Sequence, residues 1–388
     1  MNLMERRILI VTCFGHFLSH FNMIVFPSVV LPLAADLHLP MNEVLGLSFM
    51  QYLLFGVMAL PWGMVGDRWG GKRLMLLMFL GAGLSGVAAA ALIGSPPLFA
   101  LSLAGIGFFS SIYHPIGLGL ITKGVKRMSV ALGYNGVFGG LGLVLAPLFS
   151  GIMVWVSGPR AAYLFLGGLN IFGMILMAML PLEEPEKTSA QDEHGENGML
   201  GAFVILLAAM MLGGIAYRAA TVILPTYLEL QGRGILEFLS TWWGAPLSGN
   251  LVATAITALI YTVGMVGQYI GGHVGERYEP RYAYLAFHAT CIPLAFLMAF
   301  TQNVALVVLA VLYFFFLLGM QPVENTLVAT YAPRRLHHSA FGTKFILTFG
   351  VGSFAVKMLQ YIESRWDVQA SFIALGIVSI LLVATIVL

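Results

Sequence analysis

The chain has 388 residues, of which 59% are hydrophobic and only 9% charged, with 19 basic and 17 acidic side chains and a formal net charge of +2. A soluble domain carries about 25% charged residues, and a soluble fold of this length cannot hide so much apolar surface from water. The composition excludes a soluble enzyme, a nucleic-acid binder and a disordered chain, and leaves lipid as the main solvent.

A membrane-crossing helix needs roughly 20 apolar residues, and unbroken runs of that length recur along the chain. Transmembrane β-strands would alternate apolar and polar residues instead. The runs predict twelve helices, at about 8–33, 43–65, 73–94, 97–121, 129–156, 161–181, 200–225, 251–274, 282–301, 304–331, 339–361 and 368–388. The first follows Arg6 and Arg7, contains His16, His20 and Asn22, and lacks a small-residue cleavage site, so it reads as a span rather than a removed signal. The second ends in Gly63-Met64-Val65-Gly66-Asp67-Arg68-Trp69-Gly70-Gly71-Lys72-Arg73. The fourth carries Gly105, Gly107 and Tyr113-His114-Pro115, and the fifth carries Gly133, Gly142, Pro147 and Gly151.

Residues 182–198 are the longest polar stretch and hold six acidic side chains. They divide the chain into a six-helix half at 1–181, an acidic linker at 182–198 and a second half at 199–388. The seventh segment carries Tyr217 and Arg218. The loop 226–250 contains Leu236-Glu237-Phe238-Leu239-Ser240-Thr241-Trp242-Trp243, which reads as an amphipathic helix lying on the membrane surface. The tenth segment carries Gln321, Glu324 and Asn325. The eleventh carries Lys344 and Lys357 near opposite ends, from which both lysines are expected to snorkel to the headgroups. Cys13 and Cys291 lie in apolar runs and form neither a disulfide framework nor a metal-type spacing.

The halves repeat one another. Gly63-Met64-Val65-Gly66-Asp67-Arg68 has a counterpart in Gly272-His273-Val274-Gly275-Glu276-Arg277, Ala131-Leu132-Gly133 in Ala340-Phe341-Gly342, and Pro115 in Pro322. Two such halves with a site between them near the bilayer midplane are a transporter architecture. Thirteen of the lysines and arginines fall on the loops of one side and three on the other. The positive-inside rule therefore predicts cytoplasmic termini and a cytoplasmic linker.

The run from Gly63 to Arg73 closely resembles the loop 2–3 signature of the major facilitator superfamily. The resemblance implies an all-α membrane protein of twelve transmembrane helices in two pseudo-symmetric six-helix halves. It also implies a gating role for Gly63, Gly66, Asp67, Arg68, Gly70, Lys72 and Arg73, with Glu276 and Arg277 as the degenerate copy. In that family this loop latches the halves in the outward-facing state. Gly133, Gly142, Ala146-Pro147 and Gly151 resemble the helix 5 motif of the family's exporters and antiporters, which implies tight helix packing at Gly133, Gly142 and a kink at Pro147. Tyr113-His114-Pro115, with His20-Phe21-Asn22, resembles the fosmidomycin-resistance-like branch of drug exporters, although Met23 stands where that branch suggests an acid.

In this superfamily helices 1, 4, 7 and 10 line the cavity, and each carries polar groups here. Ionisable groups inside a bilayer are costly and mark function. The expected substrate-binding set is Arg218, His20, His114, Asn22, Tyr217, Gln321 and Asn325. An arginine inside a helix must pair with an acid or bind an anion, and Arg218 is expected to sit too far out to meet Glu324. The expected proton carriers are Glu324, His20 and His16. His16 and His20 share a helix face, and with Met23 they also fit a soft-metal reading, but no metal site and no cofactor is assigned.

The function expected is a proton-coupled exporter of a small anionic or amphipathic organic compound, not an enzyme. The alternatives are an importer of a small organic anion, a transition-metal transporter, and a non-transporting sensor or assembly factor. The expected partners are a small-molecule substrate, protons or another coupling ion, and the lipid bilayer, with no nucleic acid. The chain is expected to act as a monomer in a bacterial inner membrane.

Overall fold

A computed structural model describes residues 1–182, 200–331 and 343–388, apart from the side chains of Asp67 and Ser129. Most of the acidic linker, Arg334, Arg335 and the Ala340-Phe341-Gly342 repeat lie outside the described residues. Twelve helices among those described are long and apolar enough to cross a membrane. They are α1 Leu3–Leu37, α2 Met41–Gly66, α3 Gly71–Ala91, α4 Pro96–Gly124, α5 Val130–Ser157, α6 Pro159–Met179, α7 Leu200–Gln231, α8 Gly249–Arg277, α9 Pro280–Ala299, α10 Asn303–Tyr331, α11 Thr343–Glu363 and α12 Gln369–Val387. The described residues contain no strand. An even number of spans puts both chain ends at one end of the bundle, called here the termini end.

Several spans are interrupted, and a proline lies beside some of the breaks. A proline ring clashes with the carbonyl four residues earlier and removes one helical N–H. In α4 the regular helix stops at Ser110 and resumes at Tyr113, just before Pro115. In α10 it stops at Gly319 and resumes at Gln321, just before Pro322. The two breaks occupy matching places in the two halves, so the sequence repeat is also a repeat of shape. In α1 the chain passes through a 3-10 turn, Phe26–Val29, around Pro27. Pro147, by contrast, sits inside an unbroken α5. The break in α11 has no proline: a π-helical segment, Ile346–Gly350, runs into a 3-10 turn, Val351–Ser353.

The halves meet mainly at the end away from the termini and at mid-height. The far half of α2 packs on the far half of α11, and the turn in α1 packs on α7 and α8. The Asn250 amide donates to the Ser28 carbonyl across the seam at 2.9 Å. At mid-height a Cβ on Gly56 would collide with the Gly350 backbone, so only glycine lets α2 and α11 touch there.

Helix α5 packs against α1 and, across the seam, against α8. A Cβ on Gly142 would meet the Phe17 carbonyl, and one on Gly139 the His16 ring, so small residues set this contact too. Gly133 does not take part: a Cβ there meets nothing within 4 Å. It lies near the start of α5, before the helix closes on its neighbours.

The helix after α7, Arg233–Trp243, buries no residue and leaves Phe238, Trp242 and Trp243 exposed. It is tied to the start of α10, where Asn303 Oδ1 accepts from the Gly234 amide at 2.8 Å. This placement fits the expected surface helix with an aromatic face for the membrane interface.

Candidate functional site

Three helices of the first half bring a ring cluster together at mid-height. His16 and His20 are one turn apart on α1, with ring centroids 5.0 Å apart. His114 follows the break in α4 and meets His16 at 5.4 Å and His20 at 5.5 Å. One ligand-capable nitrogen from each ring lies within 4.8 Å of the others. His16 Nδ1 lies 2.8 Å from the Asn135 carbonyl of α5. A carbonyl only accepts, so Nδ1 carries the hydrogen and Nε2 keeps its lone pair. Tyr113 stacks on His16 at 4.9 Å and exchanges hydrogen bonds with the Asn135 side chain. The ring of His16 is thus clamped from two sides.

The second half closes over this cluster. Phe345 stacks on His114 at 4.8 Å, and Phe349 lies parallel at 6.1 Å, both from the non-α-helical stretch of α11 and its approach. His114 is 7% exposed, and its Nε2 has no hydrogen-bond partner among the described residues. His16 and His20 are half-buried.

Across Phe349 lies Arg218, 2% exposed. Its guanidinium carbon sits 4.0 Å from the centroid of the Tyr52 ring of α2, 5.9 Å from Tyr217 and 6.0 Å from Phe349. A buried guanidinium over an aromatic face gains cation–π attraction, but rings accept few of its five N–H groups. Its Nε is buried with no partner among the described residues.

Glu324, 3% exposed, does not pair with Arg218. Its carboxylate lies 2.8 Å from Lys344 Nζ and accepts from the Tyr284 hydroxyl at 2.8 Å. Lys344 also donates to Asn325 Oδ1 and is only 9% exposed. Lys344 therefore does not snorkel as expected: an acid on the neighbouring helix pairs with it inside and offsets part of the cost of burying both charges. Lys357 is exposed and rests over the Phe49 ring at 5.0 Å, as a lysine near a helix end does.

Other expected site residues are held elsewhere. Asn22 is fully buried, donates to Ser110 Oγ at 2.9 Å, and exchanges amide hydrogen bonds with Asn170 of α6. This arrangement ties α1, α4 and α6 together and leaves its side chain no free polar atom for a ligand. Gln321 accepts from Gln268 at 3.0 Å, joining α10 to α8. Met23 is buried in the apolar core, so the third partner of His16 and His20 is His114 and not Met23.

The gating run packs within its own half. Gly63 faces Pro115, Gly66 faces Ile116, and Gly70 turns the chain into α3 at φ +85°. Lys72 donates to the Leu180 carbonyl at 3.1 Å, at the C-terminal end of α6 where a cation is favoured. Arg68, Arg73, Glu276 and Arg277 are exposed.

The sequence reading did not reach Tyr284, Asn170, Phe345 or Phe349. The lone Asn170 in an apolar run was a usable signal, because a buried amide needs partners; the phenylalanines offered none among 27 in the chain.

Comparison with known proteins places this arrangement in context. The family model of the Major Facilitator Superfamily matches residues 12–357. The enterobactin exporter EntS of Shigella flexneri is 29% identical over 226 residues, which cover 54% of each chain. That of Salmonella typhi is 27% identical over 237 residues, covering 54% of this chain and 55% of the other. The matched region thus spans about half the length of these curated relatives. A bacterial homologue of the human lysosomal transporter Spinster, in an inward-facing and occupied conformation, superposes with a TM-score of 0.80 at 14% identity, covering 100% of this chain and 97% of the other. The nucleoside transporter NupG gives 0.78 at 13% identity, covering 99% of both chains. At such identities the likeness is one of fold.

Proposed function

The chain belongs to the Major Facilitator Superfamily, and we propose that it is a secondary exporter that moves a small organic anion or amphipathic compound out of the cell in exchange for protons. The observation that carries this reading is Arg218. It is a charge buried at the seam between the halves, held over an aromatic ring, with no acid paired to it among the described residues and one nitrogen unpartnered. A guanidinium so placed is suited to hold a carboxylate, phosphate or phenolate oxygen. Tyr217 lies beside it, His114 lies across the Phe349 ring with His20 next to it, and the aromatic surround suits an amphipathic cargo.

Glu324 is the proposed proton carrier. Protonation of its carboxylate cancels the attraction to Lys344 and frees the α10–α11 contact, which gives exchange a bistable element to act on. Relatives named as exporters support the direction of transport. The basic loops support cytoplasmic termini and an inner-membrane location. With that orientation the tightly packed far end faces outward. The motif from Gly63 to Arg73 is then the latch of the opposite state, which agrees with its packing inside its own half.

Proteoliposomes test the reading. With enterobactin and a panel of simple organic anions as probes, a pH gradient should drive uptake into vesicles of the everted orientation. Arg218→Leu should weaken apparent affinity about ten- to a hundredfold, the worth of charge-assisted hydrogen bonds. Full affinity in that variant overturns the anion site, and flux indifferent to the pH gradient overturns proton exchange.

A further inference from the structure

We propose that His16, His20 and His114 form a binding site for a divalent transition-metal ion, with zinc as its simplest occupant. Three imidazoles from two helices converge with their ligand nitrogens within 4.8 Å of one another. A tetrahedral zinc ion with bonds of about 2.0–2.1 Å needs its ligand nitrogens about 3.4 Å apart. Small ring rotations close that gap.

The surroundings are those of a metal ligand set. His16 gives Nδ1–H to a backbone carbonyl, the usual outer contact that fixes the tautomer and orients Nε2 toward an ion. Stacking on Tyr113 fixes the plane of the same ring. His114 Nε2 is buried and unpartnered among the described residues, a costly state for a polar atom. A bound ion removes that cost. Half-buried His16 and His20 keep the site reachable. Neutral imidazole suits zinc, copper and nickel, and it is a poor ligand for calcium or magnesium.

Three histidines leave one coordination position open. No carboxylate belongs to the cluster among the described residues, so a dication held there keeps its charge. Arg218 adds a positive charge across the Phe349 ring. An anionic donor is therefore the natural fourth ligand. The inference concerns binding alone and does not depend on exporter activity, so the two fail separately.

The test uses the full chain, purified in detergent and stripped of metal. Titration with zinc chloride against a fluorescent chelator should give one strong site per chain. Binding should weaken at least a hundredfold in His20→Asn and in His114→Gln, and stay unchanged in His273→Ala, which alters an exposed histidine elsewhere. Cobalt added to the unaltered protein should give the intense visible absorption of a four-coordinate, nitrogen-ligated ion, a readout that needs no variant to fold. Retention of the strong site in both His20→Asn and His114→Gln overturns the proposal. So does the absence of strong zinc binding and of the cobalt spectrum in the unaltered protein.

Discussion

The two halves that meet at the seam bury polarity in opposite ways. In the first half two knots of uncharged groups satisfy one another: Asn22, Asn170 and Ser110 form one, and Tyr113, Asn135 and His16 the other. The second half buries charges among its polar groups, with Glu324 and Lys344 paired and Arg218 over an aromatic ring. The contrast teaches that buried polarity is a poor guide to function on its own. Arg218 and His114 join two features: they sit where the halves meet, and bonding capacity is left over after the neighbours have taken their share.

The contrast can be broken most forcefully at the ion pair. Lys344→Met leaves the Glu324 carboxylate buried with Tyr284 as its remaining partner. Removing one member of a buried pair costs about 3–5 kcal/mol. Thermal unfolding in detergent should therefore shift down markedly, and Glu324→Gln in the same chain should restore most of the loss. A single variant as stable as the original protein would show that the charges of the second half are solvated after all.

A smaller effect is expected in the uncharged half. Asn22→Ala strands the Asn170 amide and the Ser110 hydroxyl, at about 1–3 kcal/mol. The same unfolding assay should register this, while substrate affinity in proteoliposomes stays unchanged. Lost affinity in a fully stable Asn22→Ala protein would move Asn22 from the scaffold to the binding surface. The smallest effect belongs to Gly133→Ala. Open space surrounds that position, and alanine gains about 0.5–1 kcal/mol over glycine inside a helix. Neutral or slightly raised stability with unchanged flux is expected, and a destabilised protein would restore Gly133 to the packing surface of α5.

The spans were legible in the sequence because lipid imposes them: each needs a continuous apolar run, and runs are visible without a partner. The breaks before Tyr113 and Gln321 lie beside Pro115 and Pro322, yet Pro147, where a kink was expected, sits in an unbroken helix, so proline alone does not locate a break. His16 and His20 share a face by helical period alone. The arrival of His114 beside them depends on how α1 and α4 pack, which no local pattern encodes. Lys344 shows the same limit. Its place near a helix end suggested escape to the headgroups, whereas its fate is decided by Glu324 on the neighbouring helix. The π segment of α11 was invisible because it is stabilised by contact with Gly56 and Gly214 on other helices.

The seam itself has a kinetic consequence. Among the described residues few side-chain hydrogen bonds cross it, from Asn250 to Ser28 and from Arg218 to Tyr52, and no ion pair does. Much of the rest is glycine backbone, aliphatic side chains such as Met265, aromatic rings and cations resting on ring faces. Dispersion contacts of about 0.1–0.2 kcal/mol per atom pair are individually weak and have no fixed direction. Halves joined this way slide past one another by exchanging many small contacts for similar ones, with few discrete bonds to break at the summit. Such a boundary behaves as a lubricated bearing, and its friction is set by how well shapes mesh during passage.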